Sequence, residues 1–163
     1  MILRKADIKD LKELTDIYNY EVQNGVATFD IHTKTTDERS EWFYAHNVGN
    51  HPLIVAEDGD DILGYASLSA YNEREAYAAT VELSVYIDPK SRGKGIGTAL
   101  MSEIISMAKK DPATRKIISL ITSGNEASCR LHKNFGFTYC GTVTNVGTKF
   151  NKLLRVDYYS LDV

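Results

Sequence analysis

The sequence predicts a mixed α+β (α/β) fold: a central, largely antiparallel twisted sheet flanked by helices. Three observations carry that prediction. Helical stripes with a period near 3.6 and strands with a period of 2 occur along one chain, each in several segments. The strands come in neighbouring runs joined by short turns, as in hairpins, and do not alternate strictly with helices. The chain has 163 residues, 43% apolar and 25% charged, which suits one continuous unit over residues 1–163 burying roughly 70% of its potential surface.

The elements follow in order. Ile2 to Arg4 is short and extended. Asp7 can cap a helix in which Ile8, Leu11, Leu14 (or Thr15), Ile17 and Tyr18 recur at helical spacing, and Gly25 stops it. A loop through Thr28-Phe29-Asp30 leads to a second helix, opened by Thr36 and carrying Glu38, Arg39, Trp42 and Phe43. Leu53 to Glu57 and Ile62 to Leu68 flank the turn Asp58-Gly59-Asp60-Asp61, a hairpin signal. Thr80 to Asp88 alternates cleanly: Val81, Leu83, Val85 and Ile87 point one way, Glu82, Ser84 and Tyr86 the other, and Pro89 ends the strand. Thr98 to Lys110 reads as a helix with Leu100, Ile104, Met107 and Ala108 as its buried stripe. Lys109 and Lys110 close it, where the helix dipole favours cations. Ile117 to Thr122 is a short apolar strand. Asn125 to Phe135 is a helix with an asparagine cap and Gly136 just beyond. Strands over about Thr138–Val146 and Leu153–Leu161 complete the order β-α-α-β-β-β-α-β-α-β-β.

Composition removes several classes of function. Nineteen basic residues against twenty-two acidic ones give a net charge of -3, which speaks against a nucleic-acid binder or a polybasic membrane surface. Two cysteines, Cys129 and Cys140, are too few for a disulfide framework or a tetrahedral metal site. His32, His46 and His51 show no ligand spacing, so no metal is expected. No run approaches the ~18 apolar residues of a membrane span, and the start MILRKADIKDL lacks a signal-peptide core. A cytoplasmic protein is expected. The tyrosines Tyr65, Tyr71, Tyr77 and Tyr86 read as core or interface aromatics of the central strands.

The most informative stretch runs from Val85 through Asp88-Pro89-Lys90-Ser91-Arg92-Gly93-Lys94-Gly95-Ile96-Gly97-Thr98. A strand passes through three alternate glycines into a helix, with Lys90, Arg92 and Lys94 beside them. Glycines let backbone amides approach a ligand, and the helix N-terminus adds partial positive charge. In physical terms this is a phosphate or diphosphate cradle. It is not a nucleotide-triphosphate loop, because Asp88 stands where the first glycine of that motif falls and Gly95 follows Lys94. It is not a dinucleotide fingerprint either, since Thr98 and Leu100 occupy the required glycine positions.

Arg92-x-x-Gly95-x-Gly97, after a strand ending Ser84-Val85-Tyr86-Ile87, resembles the pyrophosphate signature of the GNAT superfamily of acetyl-CoA-dependent N-acetyltransferases. Asn125-Glu126-Ala127-Ser128 followed by Leu131-His132-Lys133-Asn134-Phe135-Gly136-Phe137 is similar to that superfamily's second signature helix. Ile17-Tyr18-Asn19, Thr28-Phe29-Asp30, Glu38-Arg39-x-x-Trp42-Phe43, Thr80-Val81-Glu82 and Gly147-x-Lys149-Phe150 resemble the phosphinothricin acetyltransferase branch, from about residue 2 to residue 150. The resemblance implies a GNAT domain, acetyl-CoA as acetyl donor and a homodimer. It implies cofactor contacts at Val85, Tyr86, Ile87, Arg92, Gly93, Lys94, Gly95, Ile96, Gly97, Thr98, Asn125 and Ser128.

The implied reaction is direct attack of a primary amine on the thioester in a ternary complex. With a pKa near 10.4, only roughly one amine in a few thousand is neutral at pH 7, so a base is worth about 4–5 kcal/mol. Glu82, on the polar side of the strand before the cradle, is the candidate base. His132 stands where many members of the superfamily place the acid for the leaving thiolate. Cys129 lies three residues before His132 and could invite an acetyl-cysteine route; a small thiol on the helix's core face is the plainer reading.

In this branch the acceptors are small amino acids with a polar tail, of the phosphinothricin, methionine sulfone or methionine sulfoximine type. The resemblance implies acceptor contacts at Phe29, Arg74, Glu82 and Ser84. A second arginine, expected just after Tyr77, is absent, since Ala78 stands there. After Gly147-x-Lys149-Phe150 the branch pattern has a tryptophan and an aspartate, where this chain runs Asn151-Lys152-Leu153-Leu154. Two other readings remain: a non-catalytic CoA-binding sensor on the same fold, and an acetyltransferase acting on a protein amine.

Overall fold

The computed structural model describes all 163 residues. Their order is β1 (Ile2–Lys5), α1 (Leu11–Asn24), α2 (Thr36–Tyr44), β2 (Leu53–Asp58), β3 (Asp61–Ala70), β4 (Thr80–Ile87), α3 (Ile96–Lys110), β5 (Lys116–Thr122), α4 (Glu126–Asn134), β6 (Thr138–Lys149) and β7 (Lys152–Asp162). The seven strands form one sheet, ordered β1-β2-β3-β4-β5-β7-β6. Only β4 and β5 run parallel; every other neighbouring pair is antiparallel. The expected fold class and element order both stand.

Local chemistry moves several boundaries. Asp7 caps a single 3-10 turn, Ile8–Asp10, ahead of α1 and not α1 itself. Thr35, one residue before the expected start, caps α2 by accepting the Glu38 N–H while the Glu38 carboxylate accepts the Thr35 N–H. α3 begins at Ile96, directly after Gly95 in the left-handed conformation at φ 78°. β6 runs on to Lys149 because Phe150 and Asn151, at φ 52° and 57°, close a two-residue hairpin turn. Tyr71 and Tyr77 pack edge-to-face in the loop between β3 and β4, away from the central strands where they were expected.

The sheet is covered on both faces. α3 packs Ile96, Leu100, Met101, Ile104, Ile105 and Ala108 against Ile54, Ala66, Leu68, Val81, Leu83, Ile117 and Ile121. Met101 and Ile105 thus join the expected stripe, and Met107 is only half-buried. On the other face α1 and α2 bring Leu14, Ile17 and Phe43 onto Leu53, Val55 and Tyr65. β2 therefore reads as a continuous apolar run, because alternate residues serve opposite cores.

The feature that positions the site is a gap. β4 and β5 pair only over Thr80–Glu82 and Lys116–Ile118. Beyond those residues no ladder joins them, and a cavity opens between the two strands. The Asp88 N–H donates to the Leu63 carbonyl at 2.9 Å, which fixes the phase of the β3–β4 ladder. Glu82, Ser84 and Tyr86 turn their backbone toward β3, so Leu83, Val85 and Ile87 turn theirs toward β5: the Leu83 N–H completes the ladder at Ile118, and Val85 and Ile87 face the gap.

Candidate active site

The cradle forms as β4 passes through the Pro89–Ser91 turn into α3. Gly93 and Gly95 sit at φ 74° and 78°, with nothing within 4 Å of where a Cβ would stand. No backbone N–H from Arg92 to Thr98 donates to a protein acceptor, and no side chain caps α3. Unpaired amides at a helix N-terminus form an anion site. From there a groove of about 590 Å³ passes Val85, Tyr86 and Ile87 and reaches Asn125, Ser128, Leu131 and His132. These residues fit a diphosphate followed by an extended arm.

Most of the expected cofactor residues line that groove, with three qualifications. Lys94 is exposed and lies outside its lining. Tyr86 gives its backbone to β3, so the gap receives the N–H and C=O of Val85 and Ile87, and the C=O of Leu83. The Asn125 side-chain oxygen accepts the Ser128 N–H at 3.2 Å and caps α4, which leaves only the amide NH₂ for a ligand. Arg92 pairs with Glu21 and lies over the Tyr20 ring, 5.5 Å from its centroid.

Beside the groove lies a second cavity of about 310 Å³ that reaches through the gap. Its walls are Ala27–Phe29, Glu82–Tyr86, Ser119–Thr122 and, from α4, Asn125, Ser128 and His132. Phe29, Ser84 and Glu82 meet here as expected. Strand alternation places Glu82 on the α1/α2 face. Burial raises its carboxyl pKa above the usual value, and no cation lies close enough to offset that. Arg74 stands exposed on the loop before β4, outside the cavity, and no lysine or arginine lines the cavity at all.

His132 reaches the cavity from the opposite face. Its Nδ1 lies 2.8 Å from the Ser128 carbonyl and its Nε2 3.0 Å from the Ser119 hydroxyl. A carbonyl only accepts, so Nδ1 carries the proton and Nε2 accepts from Ser119. Burial lowers the pKa further below the usual value, although the Ser128 hydrogen bond opposes it. In the neutral form favoured by burial, the ring presents Nε2 as an acceptor. Cys129 touches neither ring nitrogen, consistent with the plain reading of that thiol.

Other residues that form the site carry no role in the sequence reading, although several belong to the quoted motifs. The Val26–Asp30 loop roofs both cavities and is tied down from three elements. Tyr18 of α1 donates to Asp30 at 2.5 Å, and Thr122 of β5 donates to the Val26 carbonyl at 2.6 Å. Lys149 of β6, only 3% exposed, donates to the carbonyls of Thr28 at 2.9 Å and Glu21 at 3.2 Å. Gly147 is needed for the same reason: a Cβ there would stand 2.5 Å from the Phe29 ring. The available signal was polar residues, Ser119 and Thr122, interrupting an otherwise apolar strand, and Gly147-x-Lys149 itself.

The family model for the GNAT acetyltransferases matches residues 14–137. The chain is 40% identical over 154 residues to a phosphinothricin N-acetyltransferase of Streptomyces coelicolor, covering 93% of this chain and 90% of that one. It is 34% identical over 163 residues to an L-methionine sulfoximine/L-methionine sulfone acetyltransferase of Salmonella typhimurium, covering 100% and 95%. Among solved structures, a GNAT superfamily phosphinothricin acetyltransferase from Sinorhizobium meliloti in complex with acetyl-CoA superposes with a TM-score of 0.94 at 34% identity, covering 99% and 88%. This chain therefore belongs to the GNAT family of acetyltransferases, whose acetyl donor is acetyl-CoA.

Proposed function

We propose that the enzyme transfers acetyl to the primary amine of a small amino acid or amino-acid-like molecule, of the phosphinothricin, methionine sulfone or methionine sulfoximine type, by direct attack in a ternary complex. One observation carries this reading: the Glu82 carboxylate, without a cationic partner, walls a cavity that opens through the gap onto the amide-lined groove. Acetyl-CoA supplies an activated acyl group and a thiolate leaving group. Glu82 takes the proton of the incoming ammonium, directly or through one water. The Val85 N–H, beyond the end of the β4–β5 ladder, faces the gap and is oriented to hold the developing oxyanion. Arg92, Gly93, Gly95, Ile96, Gly97 and Thr98 hold the diphosphate end; Phe29 and Ser84 shape the acceptor end. Arg74 serves the acceptor's tail only if assembly brings it to the cavity mouth.

The names of the two curated relatives support a small acceptor with a sulfoximine, sulfone or phosphinate tail. The missing cation in the cavity supports a tail held by hydroxyl and amide groups and not by ion pairing. A thiol-release screen across amino acids, sulfoximines, short peptides and polyamines tests this. CoA release with small α-amino acids and not with peptides is the expected result; saturable acetyl-CoA binding with no release on any amine would support a sensor instead. A homodimer is part of the same proposal. β6 is an edge strand, and Tyr139, Val143 and Val146 on it, with Phe150 and Leu153 at its turn, are exposed. Sedimentation should give twice the chain mass.

A further inference from the structure

A serine and an imidazole on the α4 side of the gap have no part in the transfer described above. Ser119 is 1% exposed and His132 4%, yet both line the acceptor cavity. The Ser119 hydroxyl donates to His132 Nε2 across 3.0 Å, and the His132 Nδ1–H donates to the Ser128 carbonyl across 2.8 Å. Phe137 stacks edge-on against the imidazole at 4.9 Å and keeps the ring from turning. A hydroxyl that donates to a neutral imidazole, whose far nitrogen is held by an acceptor, is the hydrogen-bonding pattern of an activated serine. The remaining requirement of such a site is an N–H donor for an oxyanion. Val85, on the facing wall of the same cavity and beyond the end of the β4–β5 ladder, turns its N–H into the gap. Nucleophile, base, orienting acceptor and oxyanion donor therefore line one cavity, the one the acetyl group must reach.

We propose that Ser119, with His132 as its base, accepts the acetyl group from acetyl-CoA when no amine fills the cavity and passes it to water, giving the enzyme an acetyl-CoA hydrolase activity. The proposal rests on acetyl-CoA binding as described above, not on the identity of the amine. In the first step a bond forms between Ser119 Oγ and the acyl carbon, and the carbon–sulfur bond breaks. The Ser119 proton moves to His132 Nε2 and from there to the departing sulfur, releasing CoA as the thiol. In the second step a water oxygen bonds to the acyl carbon while His132 takes one water proton. The bond from carbon to Ser119 Oγ then breaks and His132 returns the proton to that oxygen. The balance is one acetyl-CoA and one water giving acetate, CoA thiol and a proton, with no oxidant or metal required.

The test uses the full chain and acetyl-CoA without amine. Thiol release is followed in one arm; acid quenching, digestion and mass spectrometry of the peptide carrying residue 119 form the other. Expected are CoA release above the protein-free rate, an acetyl group on Ser119, and about a hundredfold loss of release in Ser119→Ala with its melting curve checked for folding. Ser119→Cys should retain the acetyl group at that position as a thioester. Amine-dependent transfer by the wild type, with no amine-free release and no acetyl at residue 119, would overturn the hydrolase and leave the acetyltransferase reading intact. Release by Ser119→Ala at the wild-type rate would also overturn it. No release with or without amine would remove the acetyltransferase reading and the hydrolase together.

Discussion

Glu82 and His132 face one cavity from opposite sides of the sheet, and burial acts on both in the same sense, favouring the neutral form. The consequences differ because their neighbours differ. Glu82 has no cation beside it, so its raised pKa leaves a carboxylate that takes up a proton readily. Both His132 nitrogens are engaged, by Ser128 and Ser119, so the ring is committed to one tautomer. The cavity thus carries one titratable side chain on each face. Residue type alone suggests acid chemistry for a histidine at that position; its hydrogen-bond partners make Nε2 an acceptor in the neutral tautomer.

The largest expected effect breaks this pair on the Glu82 side. Glu82→Gln should lower kcat by about a hundred- to a thousandfold while acetyl-CoA affinity stays nearly unchanged, as read by steady-state kinetics and calorimetry. The same substitution should raise the melting temperature at neutral pH. Glu82's folded pKa lies above its unfolded value, so the folded state favours the protonated form. Stability is then lost as pH rises through the folded pKa, and an uncharged side chain escapes that loss. Wild-type activity should fall as pH drops through a value above the ordinary carboxylate range. His132 gives the opposite sign. Its pKa is lowered on folding, so its contribution is complete above the unfolded imidazole value of about 6.5 and is lost as pH falls below it. His132→Gln should flatten that acid-side loss in a melting series.

Smaller effects sharpen the contrast between the tied acceptor loop and the open cradle. Lys149→Met leaves the Thr28 and Glu21 carbonyls without their donor and should cost about 1–3 kcal/mol in chemical denaturation. Gly95→Ala meets no neighbour but forces φ 78° on a β-carbon. It should cost about 1 kcal/mol and weaken acetyl-CoA binding by roughly tenfold. Thr122→Val removes one loop tie, at about 1 kcal/mol, and should raise KM for the amine more than for acetyl-CoA.

Much of this was legible in the sequence, for identifiable reasons. Val81 to Ile87 alternates because each face meets a different environment, and that pattern alone put Glu82 and Ser84 together. Gly93 and Gly95 were legible because few other residues adopt their backbone angles at so little cost. What stayed hidden was long-range. Lys149 meets the Thr28 carbonyl 121 residues away in sequence, and Thr122 meets Val26 across 96. No local periodicity encodes such pairs. The tautomer of His132 is set by the Ser128 carbonyl on its own helix, but the hydroxyl that meets its other nitrogen, Ser119, lies thirteen residues earlier on another element. Arg74 shows the converse: a motif match gave it a role, and the fold leaves it outside the cavity.

The β4–β5 ladder ends after three residue pairs, and that has a dynamic consequence. The sheet is two leaves, β1–β4 and β5–β7, hinged at residues 80–82 and held apart below by nothing of their own. The inner edge of β4 offers amides at Val85 and Ile87 that exchange with solvent whenever the gap is empty. A guest lying along β4 in the gap would cover those amides and extend the contact between the two leaves. Amide protection at those two positions then measures occupancy directly, without reference to turnover.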